Sequence, residues 1–234
     1  MAKVATAGGE FGGFPKETFA FLEGIAAHNE KAWFEAHRDL YDAGYVVPAR
    51  AFVEALGPAL RKVSPGVKFE PKINGSLQRI NRDIRFTKDK RPYKEQLNAW
   101  FWLGENKGWD SPGFWFSLNP REVHLGVGMY GLEKELLDSF RQSVIHPRSG
   151  KALLAAVAKV RKAGYAVEGK TRKLMPRGFE ADPDRAEYLL YEGLYTSTCL
   201  PAAAATKSDF VAVLAGHYKK MWPVGQWLLD EIAG

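Results

Sequence analysis

Gly113-Phe-Trp-Phe-Ser-Leu-Asn-Pro-Arg-Glu-Val-His-Leu-Gly-Val-Gly-Met-Tyr-Gly131 is the stretch on which the fold turns. Two short apolar-rich runs, Phe114–Leu118 and Glu122–Val127, flank an Asn-Pro pair, which is how an antiparallel hairpin reads. The competing reading is a dinucleotide-binding turn, because Gly126-Val-Gly-Met-Tyr-Gly131 matches G-x-G-x-x-G between a strand and a helical pattern. Glu133 and Glu135 argue against it, since they put negative charge where a pyrophosphate would meet the helix. No acidic residue occurs near the expected ribose position, and the preceding strands read as antiparallel rather than βαβ.

Outward from this hairpin, Gly75 to Gly131 continues as short alternating or aromatic-rich runs, with further strands predicted at Leu77–Phe86 and Gln96–Leu103. Upstream, Pro15 with Phe19, Leu22 and Ile25 predicts an amphipathic helix, and Asn29 predicts the N-cap of a second helix carrying Trp33, Phe34 and Leu40. A third follows Pro48 with Phe52, Val53, Leu56, Leu60 and Val63 on one face; Gly57-Pro58 should kink or divide it. Downstream, Leu132, Leu136, Leu137, Phe140 and Val144 predict one helix, and Leu153, Leu154, Val157 and Val160 another, with Arg148-Ser-Gly150 between them. Gly164–Thr198 reads as mixed, with a short strand or two around Pro176-Arg-Gly-Phe179. Phe210–Ile232 reads as a terminal helix interrupted at Pro223. The expected class is α+β, a central antiparallel sheet flanked by N-terminal, middle and C-terminal helices.

The 234 residues could bury roughly 70–75% of their unfolded surface, enough for a substantial core. No internal repeat or long linker divides them, so residues 14–234 read as a single domain after a flexible, Gly-rich tail at 1–13. That tail lacks the apolar run of a signal peptide, and no segment is long and apolar enough to span a bilayer. The single cysteine, Cys199, excludes an intrachain disulfide and a Cys-rich zinc site and fits a reducing compartment. A cytoplasmic protein without a membrane partner is expected.

Net charge is +6 with a pI near 9.3, which favours acidic partners. The charge is concentrated. Arg79 to Lys94 carries seven basic and two acidic residues, so +5 lies in sixteen positions. As a strand, Leu77–Phe86 would turn Arg79, Asn81, Asp83 and Arg85 to one side and Ile80, Arg82, Ile84 and Phe86 to the other, leaving Arg82 on an otherwise apolar face. Such a guanidinium needs a carboxylate, a carbonyl or a ligand anion. Lys88 to Lys94 then reads as a loop around Pro92.

Arginines grip oxyanions bidentately, lysines supply point charges, and a tyrosine adds a directed hydrogen bond. Arg79, Arg82, Arg85, Lys88, Lys90, Tyr93 and Lys94 are therefore candidate anion-binding residues, with Asp83 and Asp89 orienting the cations. The partner would be a phosphorylated or nucleotide-like small molecule. An alternative is nucleic acid, with Trp100, Trp102 or Trp115 stacking on bases. A further alternative leaves the Arg and Asp residues as a purely structural ion-pair network and the aromatics as core. His28, His37, His124, His146 and His217 show no metal-ligand spacing, so no metal site is expected. Neither a catalytic residue nor a cofactor can be named.

The chain also resembles a bacterial and fungal family known as domain of unknown function 2461. The likeness lies in Phe14-Pro-Lys-Glu-Thr-Phe-Ala-Phe-Leu22, in Trp33-Phe-Glu-Ala-His37, and above all in Arg82-Asp-Ile-Arg-Phe-Thr-Lys-Asp-Lys90 with Pro92-Tyr-Lys94. Gly113-Phe-Trp-Phe116, Pro120, Gly126, Gly128 and Pro176-Arg-Gly-Phe179 extend it over nearly the whole chain. The resemblance implies that the glycines belong to a strand-to-helix turn of that family, and it brings no established activity. Leu132 stands where the family usually has proline, and Asn81 and Thr87 replace commoner neighbours; the charged positions are all present.

Overall fold

A computed structural model describes residues 11–104 and 111–233. The chain opens with α1 (Lys16–Ala27), α2 (Lys31–Ala36), the short α3 (Arg38–Leu40), a π-helical stretch (Tyr41–Val46) and α4 (Val47–Arg61). Strands β1 (Leu97–Trp102), β2 (Gly113–Leu118) and β3 (Glu122–Met129) follow, then α5 (Lys134–Ile145), α6 (Pro147–Lys162), β4 (Glu168–Lys170), β5 (Tyr191–Pro201) and α7 (Phe210–Glu231). The strands form one antiparallel sheet in the order β1-β2-β3-β5-β4. The protein is an α+β protein. No helix among the described residues is long and apolar enough to cross a membrane.

Alternation along the strands sorts the side chains. Leu97, Ala99 and Phe101, Phe114, Phe116 and Leu118, and Val123, Leu125 and Val127 are buried on one face. There Phe116 meets Phe52 of α4 with ring centroids 4.4 Å apart, and Phe114 stacks on Trp222 of α7 at 4.8 Å. A second apolar cluster, with Phe140, Leu153, Val157, Trp227 and Leu228, joins α5, α6 and the end of α7. The opposite sheet face carries Asn98, Trp100, Trp115, Ser117, His124, Ser197 and Cys199, which are half-buried or exposed. That face is in register from strand to strand: Asn98 is paired with Ser117, Ser117 with His124, and His124 with Cys199.

The first two glycines of the G-x-G-x-x-G match, Gly126 and Gly128, lie inside β3, between antiparallel neighbours, and not at a βα turn. Each is required by packing. A Cβ at Gly126 would lie 2.5 Å from the Trp115 indole, and Gly128 has a φ of +124° with the Leu194 carbonyl 2.3 Å from where a Cβ would stand.

Several helix expectations are corrected. Pro58 and Pro223 sit inside continuous helices, Val47–Arg61 and Phe210–Glu231, so neither divides its helix. Each forfeits one backbone hydrogen bond, but both helices bury long apolar stripes that hold them in place. The break between α5 and α6 falls at His146, not at Arg148-Ser-Gly150; Pro147 cannot continue α5 but suits a first turn. Asn29 does not cap α2: Glu30 holds that position and Asn29 is spent elsewhere. Of the expected flexible tail, residues 1–10 lie outside the described residues, and Phe11 packs on Phe14 and Phe52.

Candidate functional site

The segment Leu77–Phe86, expected as a strand, is none. It makes isolated bridges only, Leu77 to Ile73 and to Ala99 at the outer edge of β1, and Asn81 to Tyr93 within a hairpin of its own. Arg82 N donates to Pro92 O at 2.8 Å and Lys94 N to Ile80 O at 2.8 Å, which closes the base of that hairpin. Ile80 still points into the core, but beyond Arg82 the alternation lapses and Phe86 is 94% exposed.

Side chains that bond the backbone two residues on compete with a ladder, and three do so here in succession. Asp83 Oδ1 accepts from Arg85 N at 3.2 Å, Thr87 Oγ1 from Asp89 N at 3.2 Å, and Asp89 Oδ1 from Arg91 N at 3.1 Å. A basic loop of residues 82–91 results.

Within this loop Arg82 finds both a carboxylate and a carbonyl, Asp89 at 2.7 Å and Arg91 O at 3.1 Å, and so pins one side of the loop to the other. Arg85 grips Asp83 bidentately at 3.0 and 2.6 Å, and Arg91 pairs with Asp89 and Glu95. The guanidinium of Arg85 holds the Asp83 carboxyl well below the usual carboxylate range, and Arg91 followed by Arg82 does the same to Asp89. Lys90 donates to Ile84 O at 2.9 Å. Tyr93 turns inward, its ring buried and stacked on Phe34 at 4.5 Å. Its backbone is clasped by Asn29, whose amide nitrogen donates to Tyr93 O at 3.0 Å while Tyr93 N donates to its oxygen at 2.9 Å.

Lys94 and Arg79 form a separate pair at the rim of the sheet. The half-buried Lys94 ammonium donates to Gln78 Oε1 at 3.1 Å and to Arg79 O at 2.9 Å, and no carboxylate among the described residues pairs with it. Burial, and then the neighbouring Arg79 charge, lower its pKa. Gln78 N donates to Asn98 O, so Gln78 continues the row Asn98, Ser117, His124 and Cys199. Arg79 and Lys88 are exposed and make no ion pair among the described residues. The seven predicted anion-binding residues therefore divide into a loop group (Arg82, Arg85, Lys88, Lys90), a rim pair (Arg79, Lys94) and the inward-facing Tyr93.

In the next row of the same face, the Trp115 indole lies against Gly126 while remaining half-buried. Trp100 stands opposite Trp115 and lies across Gly113, whereas Trp102 is buried. Trp109, another of the aromatic residues in this region, lies outside the described residues.

Two features escaped the sequence reading. Arg141 on α5 is 7% exposed; its guanidinium is 3.8 Å from Asp138 and 5.7 Å from the centre of the Phe179 ring, and its Nε and Nη2 find no hydrogen-bond partner among the described residues. Glu122, His124 and Cys199 bring three possible ligand atoms within 4.8 Å of one another. Glu122-x-His124 was a visible same-face pair, but Cys199 joins it only through the β3–β5 register.

The family model described as "Conserved hypothetical protein (DUF2461)" matches residues 17–227. Comparison with curated proteins gives no match.

Proposed function

The chain belongs to the DUF2461 family of conserved hypothetical proteins, and from that premise, which brings no activity with it, we propose that the protein binds a phosphate-bearing, nucleotide-like ligand across its open sheet face. The observation that carries this reading is the Lys94 ammonium. It is half-buried, answered among the described residues only by neutral oxygens, and set beside a second cation, Arg79. Two like charges, one of them partly desolvated, oppose each other, and an anion between them turns that cost into binding energy. Arg79 and Lys94 are the first contacts. The loop cations Arg85, Lys88 and Lys90 add long-range attraction, while Arg82, Asp83, Asp89 and Tyr93 keep the loop in shape.

From Gln78 to Ser117 is two strand spacings, about 10 Å, the reach from the phosphate to the base of one nucleotide. Trp115, one residue pair along on the same face, offers the base a ring to stack on. The cytoplasm, where such ligands abound, is the compartment this reading calls for.

Thermal denaturation of the full chain with inorganic phosphate, AMP, ATP and a short single-stranded oligonucleotide tests the proposal. A ligand at a hundred times its Kd adds about 2.7 kcal/mol, a rise of about 5–10 °C for a chain of this size. Arg79→Gln and Lys94→Met should each weaken the effect at least about tenfold, and Thr206→Ala should not. If none of the four probes stabilises the protein at millimolar concentration, or if both variants respond as the wild type does, the reading falls. Stabilisation by the oligonucleotide alone, with affinity falling steeply in salt, would transfer the site to nucleic acid.

A further inference from the structure

We infer that Glu122, His124 and Cys199 form a binding site for a zinc-like divalent cation, with three protein ligands and a fourth position open to solvent. The inference stands apart from the anion-binding reading and rests on the sheet alone. His124 and Cys199 are directly paired across β3 and β5, and Glu122 lies two residues before His124, so the three side chains leave the same face. Strand β3 is an interior strand, hydrogen-bonded on both sides, and ligands on such a frame are held more closely than ligands on a loop.

The atoms already converge. His124 Nε2 is 2.8 Å from Glu122 Oε1, Cys199 Sγ is 3.1 Å from Glu122 Oε2, and all three ligand atoms fall within 4.8 Å of one another. Zinc bonds of about 2.0–2.3 Å in a tetrahedron separate its ligands by about 3.5 Å. The observed spacings bracket that value, so small side-chain rotations close the site without moving the backbone. Both Glu122 and His124 are more than two-fifths exposed and Cys199 is exposed, which leaves a path for the ion and room for a water as fourth ligand.

The donor set selects the metal. Sulfur, imidazole nitrogen and one carboxylate oxygen suit zinc, whereas calcium and magnesium require more oxygens than this face offers. Charge also balances. When Cys199 gives up its thiol proton to solvent and forms the metal–sulfur bond, a thiolate and a carboxylate cancel the two positive charges of the ion, and the imidazole stays neutral. Asn119 supports the site from behind, accepting a hydrogen bond from Glu122 N at 3.0 Å.

The test uses the untagged full chain titrated with cobalt(II), then zinc(II). One equivalent of cobalt should give a thiolate-to-metal charge-transfer band and the visible bands of a four-coordinate ion, and zinc should bleach both. Binding should release about one proton per metal at neutral pH. Cys199→Ser, His124→Gln and Glu122→Gln should each lower affinity by at least about a hundredfold, since even outer partners of metal ligands are worth about 10–100-fold. Ser197→Ala, on the same strand, should bind as the wild type does. Circular dichroism of each variant separates lost binding from lost fold. The inference is overturned if no band develops with cobalt in excess. It is equally overturned if the band survives unchanged in both His124→Gln and Glu122→Gln, which would put the metal on the thiol alone.

Discussion

Replacing Asn29 with alanine should destabilise the protein out of proportion to the size of the change. Arg82 N and Lys94 N bond across the hairpin on either side of Tyr93, so the N–H and C=O of Tyr93 itself point away from the hairpin, towards the turn between α1 and α2. No strand among the described residues lies there. The Asn29 amide takes its place, accepting at 2.9 Å and donating at 3.0 Å, as a neighbouring backbone would. Asn29→Ala deletes both bonds and strands two backbone groups on a residue only 6% exposed. A hydrogen bond is worth about 1 kcal/mol net, and an unsatisfied buried group costs about 1–3 kcal/mol. The expected loss is therefore about 2–4 kcal/mol, or about 5–15 °C in Tm for a chain of this length. Urea denaturation followed by far-ultraviolet circular dichroism, alongside thermal melts, measures it. Asn81→Ala serves as the comparison, because Asn81 is exposed on the same hairpin and should change stability by no more than about 0.5 kcal/mol. Equal effects from the two variants would mean that water replaces the amide without cost, and the account of how the basic loop is anchored would be refuted.

Two further predictions concern the sheet face and the loop. Gly126→Ala puts a methyl 2.5 Å from the Trp115 ring and 2.6 Å from Thr196 O, so it should cost about 1–3 kcal/mol in a thermal melt and alter the near-ultraviolet circular dichroism; a variant as stable as the wild type would contradict the ring's position on the glycine. Asp83 and Asp89 have depressed pKa values, so their contribution is present above the unfolded carboxylate value and is lost only as pH falls through the lower folded one. Carboxyl carbon shifts followed by NMR should show both still ionised at pH values where an ordinary aspartate, as in a short model peptide, is largely protonated. Titration at the ordinary aspartate value would break the proposed ion pairs.

Much of the sheet was legible because a strand announces itself locally. Gly113–Leu118, Glu122–Met129 and Leu97–Trp102 alternate or run apolar between turn residues, and the amphipathic spacing of α5 and α6 likewise repeats within a few residues. Propensity misled where burial outweighed it, as at Pro58 and Pro223. It was silent at the π-helical stretch Tyr41–Val46, and it set a short strand or two around Pro176-Arg-Gly-Phe179, whereas the strands lie on either side, at Glu168–Lys170 and at β5, whose eleven residues mix Gly, Thr, Ser and Cys with apolar ones and lack a clean period. The charge of the basic segment was also plain, but its shape was not, because aspartates that read as partners for arginines also bend the backbone through their own hydrogen bonds.

What the sequence by itself determined is thus what repeats at short range: the α+β class, the faces of most elements, and the concentration of positive charge between Arg79 and Lys94. What only the tertiary structure decided is which distant residues meet: Asn29 with Tyr93, Lys94 with Gln78, and Cys199 with Glu122 and His124. The reason is physical. Side-chain direction along a helix or strand follows from local backbone geometry, whereas register between strands is settled by the packing of the whole sheet against its helices, and no short window of sequence contains that sum.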